Sequence, residues 1–129
     1  MARNRKRKTE LEARGGDGLQ ALSRSINEIL VLGSLRGGEK HGYQIARDVA
    51  RGSGGRLELR HGTLYPILHR LEERGWIEGH WEMHGARRRK VYRLTPSGRR
   101  HLGGEADEFE ALVRGILRVV RGADGSAAS

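Results

Sequence analysis

The chain has 129 residues, about one small domain, with 25 basic against 16 acidic side chains and a net charge of +9. It contains no cysteine, which excludes disulfides and thiolate chemistry and fits a reducing cytosol. Its most apolar run, "INEILVLGSL" at 26–35, is far too short to span a bilayer.

The charge is concentrated. Residues 60–100 carry ten basic and four acidic side chains, and residues 1–14 carry six and two, while 101–129 are acidic on balance. Solubility is the plain reading of a basic excess. Such local concentration points instead to a polyanion partner, most simply nucleic acid.

At the start, "MARNRKRK" has the charge of a signal n-region, but "TELEARGGDGLQ" follows where an apolar stretch would be needed, so no secretory signal is expected. Residues 1–18 lack periodicity and read as a disordered basic arm. The first helix is predicted over 20–36. Leu22, Ile26, Ile29, Leu30, Val31, Leu32 and Leu35 cover more than one of its faces, so it should be the most buried helix. "RGGEKHG" breaks it. A second helix runs from about Gly42 to Arg51 and buries Ile45, Ala46 and Val49, with Tyr43 near its start. "GSGG" ends that helix, and "RLEL" gives a short extended piece.

The third helix, 61–74, carries Leu64, Ile67, Leu68 and Leu71 on one face, with Gly75 placed to cap its end. Thr63, Tyr65, His69 and Arg70 point away from that stripe, and Pro66 lies inside the helix. A proline there removes a backbone donor; the cost is small if the unpaired Gly62 carbonyl faces solvent in the first turn. Alternation then marks a hairpin. Ile77, Gly79, Trp81 and Met83 share one face, "HGAR" supplies the turn, and "RRKVYRL" returns with Tyr92 and Leu94 together. Thr95 is an N-cap residue and Pro96 suits the first position of a fourth helix over 96–121. Leu102, Ala106, Phe109, Val113, Ile116 and Val120 form a seam along it, to be covered by the first helix or by a second copy of the chain. Gly103, Gly104 and Gly115 each weaken this helix by roughly 1 kcal/mol relative to Ala. Residues 123–129 read as a flexible tail.

Catalytic and metal chemistry find little footing. His80 and His84 are the only tempting pair, and on a strand and turn with no cysteine they do not make a zinc site. No nucleophile–base pattern or phosphate-cradling glycine loop is present. No cofactor and no metal are expected, and an enzyme is the remotest reading.

Three helices followed by a hairpin is the order of a winged helix-turn-helix. Three motifs, "HGYQIA", "GTLYPILHRLEERGWIEG" and "RRRKVYRLTPSG", stand in the order and at the spacing of the PadR family of bacterial transcriptional regulators, which the chain resembles over about 25–120. Its short, single C-terminal helix looks like the smaller-subunit branch. The resemblance implies a mainly α fold with a β-hairpin wing: a DNA-binding domain over 19–95 and a dimerisation helix over 96–122. It places Thr63, Tyr65 and Pro66 against DNA at the start of a recognition helix, with His69 and Arg70 further along. Tyr43 helps to seat the second helix and can reach a phosphate, though packing is the plainer role. Arg87, Arg88, Arg89 and Lys90 lie on the wing, where a run of cations suits phosphate contact or minor-groove insertion.

Family members often carry Ser or Thr shortly before the Thr-Leu-Tyr-Pro run. This chain has Arg60 and His61 there, so its third helix lacks a side-chain cap, at a cost of about 1 kcal/mol. At the position of Phe109 some smaller PadR proteins hold an aromatic residue that stacks on flat ligands between subunits; ordinary dimer packing is the plainer role here. The expected protein is a homodimeric, sequence-specific regulator of double-stranded DNA. It would act as a repressor on an inverted repeat, with a small hydrophobic effector at the dimer seam as a further partner. Its expected place is the cytoplasm, with the nucleoid and away from membranes. The rival readings are a non-specific architectural nucleic-acid-binding protein and a partner-binding adaptor.

Overall fold

The computed structural model describes residues 15–122, with side chains from Leu22 onward. Residues 1–14, most of the predicted basic arm, and 123–129, the predicted tail, lie outside the described residues. Six elements follow the expected order: α1 (Gly15–Ser34), α2 (Gly42–Gly52), α3 (His61–Glu73), the wing strands β2 (Ile77–His84) and β3 (Arg87–Leu94), and α4 (Pro96–Arg121). A 3-10 turn, Leu35–Gly37, closes α1, and a two-residue strand β1, Lys40–His41, precedes α2.

Two departures concern α1. It begins at Gly15, inside the span expected to be an unstructured arm, because a helix nucleated by the apolar run downstream extends at little cost per added residue. It is also not the most buried helix. Val31, Leu32 and Leu35 are fully enclosed, but Ile26, Ile29 and Leu30 are half-buried and Leu22 is exposed. Its apolar surface exceeds what one copy of the chain covers.

The core is built where α1, α2 and α3 meet the sheet. Leu32 and Leu35, Ile45 and Val49, and all four apolar residues of α3 pack there with Ile77, Tyr92 and Leu102. "RLEL" makes no strand; Leu59 alone turns inward and pins that loop to the core. Burial decides whether α3 forms. Four side chains at roughly 2 kcal/mol each outweigh the missing N-cap, about 1 kcal/mol, and the bond lost at Pro66. Gly75 follows the helix in a left-handed conformation, φ 74°, and the backbone N–H groups of Gly75 and Trp76 bond back to Glu72 and Leu71.

The sheet is antiparallel with order β1–β3–β2. Register places Ile77, Gly79, Trp81 and Met83 opposite Leu94, Tyr92, Lys90 and Arg88, as alternation predicts. β1 pairs Lys40 with Tyr92 and His41 with Val91, across a separation that local pattern does not reveal.

The "LTPSG" segment fixes α4 to this frame. The Thr95 hydroxyl accepts from the Gly98 N–H at 2.9 Å and donates to the Gly75 carbonyl at 2.7 Å. Gly98 lies so close to the Trp76 carbonyl that a Cβ would run into it. One turn later His101 stacks on Trp76, ring centroids 3.5 Å apart. Beyond Leu102 the seam emerges from the core: Phe109 and Val113 are half-buried, Ala106 is exposed, and Ile116 and Val120 are 50% and 74% exposed.

Candidate nucleic-acid interface

Helix α3 divides as its periodicity requires. Leu64, Ile67, Leu68 and Leu71 are buried, while Thr63, Tyr65, Pro66 and His69 are exposed. No side chain caps its start; instead the Arg60 carbonyl accepts from the N–H groups of Thr63 and Leu64 at 2.9 and 2.8 Å. Pro66 stands on the open side. Arg70 does not belong to this exposed row. Its guanidinium turns back to Glu28 of α1, with Nε–Oε2 and Nη2–Oε2 separations of 3.5 Å. A long side chain at the edge of the stripe reaches the carboxylate of a neighbouring helix more easily than helical position alone implies. Glu28 also holds Arg74 at 3.6 Å, so the pair of arginines serves helix docking.

Tyr43 also departs from expectation. It is 61% exposed, and packing of the second helix falls instead to Gly42 beside it. Gly42 is buried beneath Tyr65, whose hydroxyl would lie 3.2 Å from any Cβ there. The two tyrosines therefore face one open side. Arg47, one turn beyond Tyr43, extends over its ring at 5.7 Å; the i, i+4 spacing was the available signal for this cation, and the sequence reading missed it.

The wing's cationic run is divided in use. Arg87 and Arg88 are exposed, and Arg89 and Lys90 are half-buried. Arg89 donates from Nη1 to His41 Nε2 at 3.1 Å. Lys90 crosses over Gly79, where a side chain would block it, and pairs with Glu72 of α3 at 2.9 Å. Lys90 thus couples the wing to α3, with its charge already matched, and is not a free cation. Burial first, then Arg89, Arg47 and His84, holds the His41 imidazole below its ordinary 6.5. Tyr92, enclosed beneath the wing and facing Glu72, is pushed up to about 12 and stays a neutral packing residue.

Behind the wing, His80 does not associate with His84. Its Nε2 lies 3.1 Å from Glu82 and 3.7 Å from Glu39, so carboxylates are less sparse there than the chain order indicates; all three groups are exposed. No described helix is long and apolar enough to cross a membrane.

The surroundings of α3 and the wing have counterparts among known proteins. The transcriptional regulator PadR-like family matches residues 31–104. Transcriptional regulator Rv3488 of Mycobacterium tuberculosis is 33% identical over 99 residues, 77% of this chain and 90% of that protein. A PadR family regulator from Eggerthella lenta superposes with a TM-score of 0.68 at 26% identity, over 88% of this chain and 98% of that one. Bacillus subtilis PadR, solved in complex with operator DNA, matches with a TM-score of 0.57 at 31% identity, over 61% of this chain and 44% of its own; it is named a negative transcriptional regulator. The three-helix and wing arrangement and these matches together establish that the chain belongs to the transcriptional regulator PadR-like family.

Proposed function

We propose that the chain is a homodimeric, sequence-specific DNA-binding repressor that occupies an inverted-repeat operator. The observation that carries this reading is the row Thr63, Tyr65 and Pro66 standing clear of the core on α3, beside a wing that presents Arg87 and Arg88. A hydroxyl and an aromatic edge at a helix start suit base edges and thymine methyls, and guanidinium groups suit phosphates. His69 extends the row one turn further. The operator complex of the Bacillus subtilis relative supports duplex DNA as the partner, and that relative's name supports repression.

Dimerisation is supported by apolar surface that one copy leaves open. Leu112, Ile116, Val119 and Val120 form an exposed strip on α4, and Leu22 is open on α1. Two copies joined there would hold two α3 helices for successive major-groove half-sites about 34 Å apart. A small apolar effector is supported by a cleft of about 800 Å³ between α1, α2 and α4, lined by Ile29, Leu30, Val49, Leu57 and Leu102, within the range of ligand pockets. Such an effector acts only by preferring one spacing of the recognition helices. The site of action is the cytoplasm, with the nucleoid.

The test is capture and sequencing of host genomic fragments bound by the full chain, with sedimentation of the free protein. A few loci sharing an inverted repeat, and a species of twice the chain mass, support the reading. Uniform recovery of fragments would instead indicate an architectural protein.

A further inference from the structure

Two large side chains on the wing are assigned by no motif. Trp81 is 57% exposed and Met83 66% exposed, both on the face that carries Lys90 and Arg88. An isolated exposed aliphatic residue needs no explanation; an open indole amid cations does. The Arg88 guanidinium lies over the Trp81 ring at 4.7 Å. Trp81, Tyr43 and Tyr65 line one groove of about 490 Å³ between α2, α3 and the wing, together with His41, Arg88 and Arg89. Among the described residues neither Arg88 nor Arg89 has a carboxylate partner, whereas Lys90, also lining the groove, is matched by Glu72.

The groove therefore combines aromatic rings with guanidinium groups that have no carboxylate partner among the described residues. A sugar–phosphate strand alternates apolar deoxyribose with anions. We propose that this groove seats one backbone strand of duplex DNA, Trp81 packing on a deoxyribose and Arg88 and Arg89 meeting the flanking phosphates; this rests on the DNA-binding reading above. A single strand with stacked bases is the poorer match, because serial stacking needs open ring faces. Here His61 stacks on Tyr65 at 5.7 Å, and His41 and Arg47 both attend Tyr43, which leaves Trp81 without open neighbours to continue a stack. The contact should be indifferent to sequence, since sugar and phosphate carry none directly.

The test titrates the full chain with a duplex recovered by selection on the protein itself, with a scrambled duplex, and with copies of the selected duplex carrying one neutral methylphosphonate at a time. Trp81→Ala is expected to weaken both duplexes by a similar factor, roughly tenfold, with Trp81→Phe recovering most of the loss. Arg88→Ala, in contrast, should lose the penalty that wild type shows for methylphosphonates at one or two adjacent positions. Circular dichroism confirms folding, which an exposed side chain does not govern. An unchanged affinity in Trp81→Ala, or an unchanged methylphosphonate pattern in Arg88→Ala, would overturn the inference while leaving DNA binding intact. A loss confined to the selected sequence would make Trp81 a base reader and overturn it too, as would tighter binding to oligo-dT than to duplex. Absence of duplex binding by the wild type would remove the underlying reading as well.

Discussion

His41 Nε2 accepts a hydrogen bond from Arg89 Nη1 at 3.1 Å, joining the β1–α2 corner to the wing. Arginine only donates, so this contact requires an unprotonated Nε2. Burial and the neighbouring cations keep the free protein's imidazole below 6.5. Phosphates seated against Arg89 and Arg47 would remove the share of that depression which those cations cause, beyond the part due to burial, and so favour uptake of a proton at His41 on DNA binding. The window runs from the depressed value of the free protein upward through the value in the complex. As pH falls from 7.5 to 5.5, affinity should rise more steeply in wild type than in His41→Gln, measured by titration at constant salt. Parallel pH slopes would rule out this linkage.

Arg70 separates structural charge from interface charge. Because it faces Glu28, Arg70→Ala should lower stability by about 1 kcal/mol, given that the pair is only partly shielded from solvent. It should change DNA affinity less than Arg88→Ala does. Urea denaturation and fluorescence anisotropy of the two variants provide the comparison. A larger affinity loss for Arg70→Ala would return that side chain to the DNA face.

Gly98 tests the junction between α4 and the winged domain. A Cβ there meets the Trp76 backbone carbonyl, which cannot rotate away as a side chain can. Gly98→Ala should cost on the order of 3 kcal/mol. Gly104→Ala, with open space around it, should stabilise the helix by up to about 1 kcal/mol. Thermal unfolding of both distinguishes packing from propensity, since propensity alone predicts a gain in each.

The exposed strip of α4 makes a different prediction. Ile116→Asp with Val120→Asp should give a folded monomer in sedimentation, because a carboxylate at each of two apolar contacts cannot be desolvated without a partner. Operator affinity should then fall by roughly a hundredfold or more, as two half-sites lose their tether. A dimeric double variant would place the interface elsewhere.

Much of this arrangement was legible in the residues. The periodicity of Leu64, Ile67, Leu68 and Leu71 and the alternation of the hairpin are local properties, and each defined its element closely. "LTPSG" announced a helix start through ordinary capping chemistry. The chain order did not reveal contacts that depend on distant segments. β1 exists because Lys40 and His41 find Tyr92 and Val91, and nothing in a glycine-rich break signals that pairing. Arg70 and Lys90 were assigned outward because helix and strand positions describe where a side chain begins, while a long one is governed by the carboxylate it can reach. Trp81 was passed over for a related reason: only the packed sheet brings it beside Tyr43 and Tyr65.

The most direct measurement is fluorescence anisotropy of the full chain on a duplex recovered from its own genome and on a scrambled duplex, at several salt concentrations, for wild type and Tyr65→Ala. The predicted result is a preference of roughly a thousandfold or more for the recovered sequence, affinity that declines with salt, and loss of most of the preference in Tyr65→Ala with little change in melting temperature. Equal affinity for both duplexes, or a preference untouched by Tyr65→Ala, would contradict recognition through α3.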